Sequence, residues 1–189
     1  MPLQCSKDKG NGQAMRVLIL PGWQNSGPEH WQSRWEACHG FERVQQADWN
    51  RPLRGDWMMQ LEQALLADPR PTVLAAHSLG CQLVASWAAH SQNTATVRGA
   101  LLVAPPDTAH PDTPPQLASW RLISRQALPF PSHLLYSTND PFCAPGRALD
   151  MARDWGSQAH SLGDAGHINA DSGLADWPAG LALLRQLQR

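Results

Sequence analysis

Between Thr72 and Gly80 the chain reads Thr-Val-Leu-Ala-Ala-His-Ser-Leu-Gly, an apolar run of strand character that passes into a small-x-Ser-x-Gly turn. Leu79 to His90 continues at once as a helical pattern. A serine placed between strand and helix with no spacer must sit on a sharp, strained turn. The residues two before and two after it then have to be small to avoid collision. Here they are Ala76 and Gly80; glycine is more usual at the first, and Ala76 departs from it by one methyl group. The turn nominates Ser78.

Two further groups follow in a fixed order. His133 to Thr138 reads as a strand ending in Asn139-Asp140-Pro141, where the proline halts the ladder and leaves Asp140 at the strand's C-terminal end. Ser157 to Leu162 reads as a weaker strand, followed by Gly163-Asp164-Ala165-Gly166-His167. The order Ser78, Asp140, His167 is that of α/β-hydrolases and differs from the chymotrypsin and subtilisin orders. Each residue lies just past a predicted strand, and in an open parallel sheet those ends share one edge.

The rest of the chain keeps the same rhythm. Strands are predicted at 16–20, 42–47, 72–76, 97–104, 133–138 and 157–162, and helices at 29–38 (with Ser26 as a candidate cap), 55–67, 79–90, 145–155 and 174–188. This alternation predicts an α/β three-layer sandwich: a mostly parallel sheet of about six strands with helices on both faces, joined by right-handed crossovers. Residues 15–189 are expected to form one such domain, and the polar residues 1–14 a flexible tail. Only the Pro-rich stretch 105–131, with a short helical candidate at 117–124, breaks the pattern. It is long enough for a lid and too short for a cap domain, and it reads equally as a surface connection braced by proline.

Composition narrows the function classes. A formal charge of −1 with scattered arginines gives no basic stripe for nucleic acid. No signal-peptide pattern or long apolar stretch is present, so a cytoplasmic location without membrane contact is expected. Cys5, Cys38, Cys81 and Cys143 have no Cys-x-x-Cys spacing and are expected as reduced thiols. The histidines form no ligand set, so neither metal nor cofactor is expected; His77 is expected to pack or hydrogen-bond beneath the serine turn. Nine Trp stand against three Phe and one Tyr. Trp31 and Trp35, one helical turn apart, read as core, and Trp23 as a pocket residue.

Pro21-Gly22-Trp23, Ala76-His77-Ser78-Leu79-Gly80, Asn139-Asp140-Pro141-Phe142 and Gly166-His167 together resemble the compact α/β-hydrolase-fold serine hydrolases of the retinoblastoma-binding-protein-9-like and YdeN-like family. The resemblance runs from about Arg16 to the C-terminus. It implies a hydrolase core without a leading antiparallel hairpin or large cap, and a triad of Ser78, Asp140 and His167. The Leu-x-Cys-x-Glu motif through which a retinoblastoma-type protein is bound is lacking, so no such partner is expected.

The expected chemistry is carboxylesterase-like hydrolysis of a small acyl ester, or a related amide or thioester. Ser78 is the nucleophile, His167 the base and Asp140 its orienter. Leu79 N–H and Trp23 N–H are the expected oxyanion donors, with Gly22, Trp23 and Phe142 at the pocket. Asp107, just past the fourth strand, is the rival acid. The competing functions are a protein-binding module on a hydrolase scaffold, and an acyltransferase or aminopeptidase-like amidase with the same triad. Oligomeric state is not readable from these residues.

Overall fold

The structure, a computed structural model, describes residues 15–188. Six strands form: β1 (Arg16–Leu20), β2 (Glu42–Arg43), β3 (Thr72–His77), β4 (Val97–Val103), β5 (Ser132–Tyr136) and β6 (Gln158–Ser161), the inner four largely apolar and the edges β2 and β6 polar. Five helices alternate with them: α1 (Trp31–His39), α2 (Arg54–Leu66), α3 (Leu79–Ala88), α4 (Pro145–Trp155) and α5 (Pro178–Gln186). The strands pair in the order β2-β1-β3-β4-β5-β6, every pair parallel. This is the α/β-hydrolase-type sheet the alternation predicts, and the described residues contain no cap domain.

Side chains along a strand point alternately to opposite faces, both covered by helices, which explains why the inner strands β1, β3, β4 and β5 are largely apolar. Val17, Ile19, Val73, Ala75, Leu101, Val103 and Leu135 pack against α1 and α5. Leu18, Leu20, Leu74, Ala76, Leu102 and Leu134 pack against α2, α3 and α4. Six indoles are fully buried: Trp31 and Trp35 on the first face, Trp57, Trp87, Trp120 and Trp155 on the second. Trp23 and Trp49 are only partly buried.

Strand order reverses between β1 and β3, since β2 lies to one side of β1 and all later strands to the other. At such a switch point the loops leaving the two strands diverge and open a crevice. The loop after β1 and the turn after β3 flank it, and their approach is close. A Cβ on Gly80 would lie 2.2 Å from the Leu20 carbonyl oxygen, so the helix after Ser78 can pass β1 only if that position is glycine. Gly80→Ala is therefore expected to cost about 1–3 kcal/mol of stability, read as a lower urea midpoint at unchanged m-value.

Several boundaries differ from expectation. Strand β2 holds two residues instead of six, pairing only Leu18 with Glu42 and Ile19 with Arg43. The chain then leaves the sheet edge, and Trp49 O receives Gln24 N–H. The cap of α1 is His30, not Ser26: His30 Nδ1 accepts from Gln32 N–H, whereas Ser26 Oγ bonds the Gln32 side chain. Helix α5 starts at Pro178 instead of 174, because proline disfavours helical backbone in the residue before it and lacks the N–H a helix interior needs. The stretch 105–131 contributes a 3₁₀ segment at Pro115–Trp120. It is anchored by Trp120 Nε1–H to Pro52 O and by Thr108 Oγ–H to Trp120 O.

Cys81 and Cys143 are free and buried. Cys38 is disulfide-bonded, so the expectation of reduced thiols fails there. The expected tail over residues 1–14, with Cys5, lies outside the described residues. Among the described residues no helix is long and apolar enough to cross a membrane.

Candidate active site

Ser78 sits between β3 and α3 with φ 53° and ψ −122°, a conformation that a residue with a Cβ rarely holds. Neighbouring main chain fixes it: Ser78 N–H reaches Val103 O at 2.8 Å, and Cys81 N–H reaches Ser78 O at 2.9 Å. That second bond is the first of α3, so Leu79 N–H, at the first helical position, precedes the internal ladder. Gly22 lies against the serine, where a Cβ would come within 2.7 Å of Ser78 Cβ. Trp23 follows it, half-buried, with Nε1–H donated to Asn50 O at 3.0 Å.

Asp140 enters from the loop after β5 and His167 from the loop after β6. The Asp140 carboxylate oxygens lie 2.9 and 3.0 Å from His167 Nδ1, and one of them also accepts Phe142 N–H at 2.9 Å. An ionised carboxylate only accepts, so Nδ1 carries the proton. The other ring nitrogen is left as an acceptor. Its partner is the Ser78 hydroxyl, 2.9 Å from Nε2. The Phe142 ring, 59% exposed, stands edge-on to the imidazole at a centroid distance of 4.6 Å.

Asp107, the rival acid, goes elsewhere. Its carboxylate is gripped by Arg147 of α4, Nε–Oδ2 at 3.0 Å and Nη2–Oδ1 at 3.2 Å. The structure brings Ser78, His167 and Asp140 together and leaves Asp107 in a structural ion pair. The cysteines are poor nucleophiles here. Burial pushes the Cys81 thiol up, and burial with the nearby Asp140 carboxylate pushes Cys143 up to about 12.

Some residues that build the site were not singled out by sequence. The single Ser137 hydroxyl proton faces Asn139 Oδ1 at 2.7 Å and Gly163 O at 3.0 Å, and Oγ accepts Ala165 N–H at 2.9 Å. Asn139 Oδ1 also accepts Gly166 N–H at 2.7 Å, which ties the acid loop to the histidine loop. Across the crevice, Gln24 and Asn25 hold left-handed conformations at φ 66° and 68°. Arg43 pins that turn by donating to Asn25 Oδ1 at 2.6 Å and Ser26 O at 3.0 Å while paired with Glu36. An arginine on a weak edge strand carries no local sign of such a role; its partners are assembled only by the fold.

His30 and His77 meet edge to face beneath the site with centroids 4.5 Å apart. Burial, with Arg43 and His167 nearby, brings His30 down to about 4. Burial foremost, then His30 and His167, holds His77 well below the ordinary histidine value. In the unfolded chain both titrate near 6.5, so below that pH the unfolded state binds more protons and stability falls. The contribution is full above about pH 6.5 and is lost as pH drops toward 4. His30 alone is expected to remove about 2 kcal/mol between pH 7 and pH 5, with His77 adding to it. Urea midpoints at the two pH values check this, and His30→Asn, which keeps a capping acceptor, should shrink the difference.

Parallel sheet, switch-point crevice and the hydrogen-bonded Ser78, His167 and Asp140 define an α/β hydrolase. A family model described as serine hydrolase matches residues 17–186. The chain belongs to that family. A protein assigned as a YdeN-like hydrolase from Pectobacterium atrosepticum superposes with a TM-score of 0.79 at 28% identity, over 93% of each chain. The ydeN gene product of Bacillus subtilis gives a TM-score of 0.72 at 20% identity, over 93% of this chain and 99% of that one. The carboxylesterase CesB of Bacillus subtilis gives 0.62 at 16%, over 97% and 85%, a likeness of fold. A search of curated proteins gives no match.

Proposed function

We propose that this hydrolase cleaves a small acyl ester, or a related amide or thioester, through an acyl-enzyme on Ser78. The observation that carries the reading is the single line of hydrogen bonds from carboxylate to hydroxyl. His167 Nε2 lies 2.9 Å from Ser78 Oγ while Nδ1 lies 2.9 Å from Asp140 Oδ2. As Ser78 Oγ attacks the carbonyl carbon, its proton passes to His167 Nε2 and the carbonyl electrons move onto oxygen. Collapse of that intermediate expels the leaving group, which takes the proton from Nε2. Water then repeats the cycle on the acyl-enzyme, freeing the acid and Ser78. Asp140 keeps the imidazole in the productive tautomer and stabilises the imidazolium.

The oxyanion is received by the N–H groups of Leu79 and Trp23. A donor of this kind is worth about 10²- to 10³-fold in rate, whereas a helix dipole contributes only about 0.3–1 kcal/mol. Mutating the Trp23 side chain therefore probes the pocket, since the donor is main chain. The lack of a cap domain among the described residues and the solvent-open rings of Trp23 and Phe142 support a small, moderately apolar acyl group.

The test is intact-mass detection of fluorophosphonate labelling together with turnover of short p-nitrophenyl esters. One adduct and release of free acid are expected. A folded protein that takes no adduct would overturn the proposal in favour of a binding scaffold. Transfer of the acyl group to an added alcohol or amine, in place of free acid, would favour an acyltransferase.

A further inference from the structure

The residue after His167 is under backbone strain. Ile168 has φ 49°, in the left-handed region where a β-branched side chain is an outlier, and such a conformation persists only where the surroundings enforce it. The enforcing groups are two ring N–H donors. His77 Nε2 lies 2.9 Å from the carbonyl oxygen of His167, and Trp31 Nε1 lies 3.0 Å from that of Ile168. Two successive carbonyls around the strained residue are thus each held by a side chain from a different element, β3 and α1. Because a carbonyl can only accept, His77 carries a proton on Nε2, and burial, which holds it well below the ordinary histidine value, keeps the ring neutral.

Both donors are immobilised. Trp31 is 1% exposed and packs edge-on against Trp35 and Trp177, at centroid distances of 4.6 and 5.1 Å. His77, 5% exposed, is wedged between His30 and the His167 ring, at 4.5 and 4.9 Å. His77 is also the residue immediately before Ser78. The loop bearing His167 is therefore registered to the same strand end that carries the serine.

We propose that His77 and Trp31 are positioning residues that clamp the main chain at His167 and Ile168, and through it set the separation of His167 Nε2 and Ser78 Oγ. The proposal rests on the hydrolase reading above. A displacement of about 1 Å in a reacting group can cost about 10²-fold in rate, whereas losing one hydrogen bond at a well-packed loop changes substrate affinity little. The clamp therefore acts on kcat and leaves KM largely alone.

The decisive comparison is His77→Gln with His77→Met, side chains of similar length that differ in the N–H donor, alongside Trp31→Phe. Each is measured in two ways. One is kcat and KM on an activated ester. The other is the downfield proton NMR resonance of His167 Nδ1–H against Asp140, which needs no turnover. His77→Met and Trp31→Phe are expected to lower kcat about 10- to 100-fold with KM within about twofold, and to broaden the resonance. His77→Gln should restore kcat to within a few-fold of wild type, and its resonance should stay sharp. The double variant Trp31→Phe/His77→Met should fall short of the product of its singles, because both act on one loop. Folded His77→Met and Trp31→Phe proteins with wild-type kcat and an unchanged resonance would overturn the clamp while the hydrolase reading stands. A wild type that turns over no ester sinks the hydrolase reading; the resonance across the same variants then decides the clamp.

Discussion

Replacing Ser78 by alanine is expected to leave a folded protein whose ester turnover is about 10⁴- to 10⁶-fold lower and whose fluorophosphonate adduct is gone. The fold should tolerate the change. Ser78 is held by main-chain bonds to Val103 and from Cys81, and neither involves the hydroxyl. Removing Oγ takes away only the contact to His167 Nε2. Any residual rate would come from the oxyanion donors acting on attack by water. Intact mass, p-nitrophenyl ester turnover and the thermal midpoint together check the result. An adduct that survives in Ser78→Ala would place the nucleophile elsewhere.

The second large effect separates two carboxylates. Asp140→Asn is expected to lower kcat about 10⁴-fold, because the amide can present its N–H to Nδ1 and so drive His167 into the tautomer whose Nε2 is protonated and cannot accept from Ser78. Asp107→Asn should change kcat only a few-fold. Its cost falls on stability, since Arg147 loses the opposite charge and one of its two acceptors there. Two measurements on each variant, kcat and the urea midpoint, should cross over. If Asp107→Asn proved the slower enzyme, the assignment of the acid would be wrong despite the geometry.

Most of the architecture was legible because it depends on local patterns. The inner four strands and the five helices follow from apolar periodicity and turn residues, and the parallel sheet follows from their alternation. The convergence of Ser78, Asp140 and His167 was legible for a related reason, as each lies just past a predicted strand. What escaped depends on contacts across the fold. His30 caps α1 through a ring nitrogen, and histidine is not among the residues that signal a cap. Pro178 did announce the start of α5, but the apolar residues Leu174 and Trp177 before it extended the helical pattern upstream; Trp177 is instead drawn into the core beside Trp31. Arg43 and Asn139 do their work through partners many residues away, so no window of sequence contains the evidence.

The distribution of indoles gives this protein a built-in optical readout. Fully buried rings lie on both sides of the sheet, so a red shift of tryptophan emission registers loss of either helical layer. Trp31, Trp35 and Trp177 lie 4.6 to 6.0 Å apart, close enough for excitation to migrate among them, so their emission is partly depolarised while the native layer holds. Trp23, beside the serine turn and partly open to solvent, emits from a wetter setting. Excitation at the red edge of the absorption band therefore favours Trp23 and the similarly half-exposed Trp49, and lets occupancy of the crevice be followed apart from the unfolding of the whole.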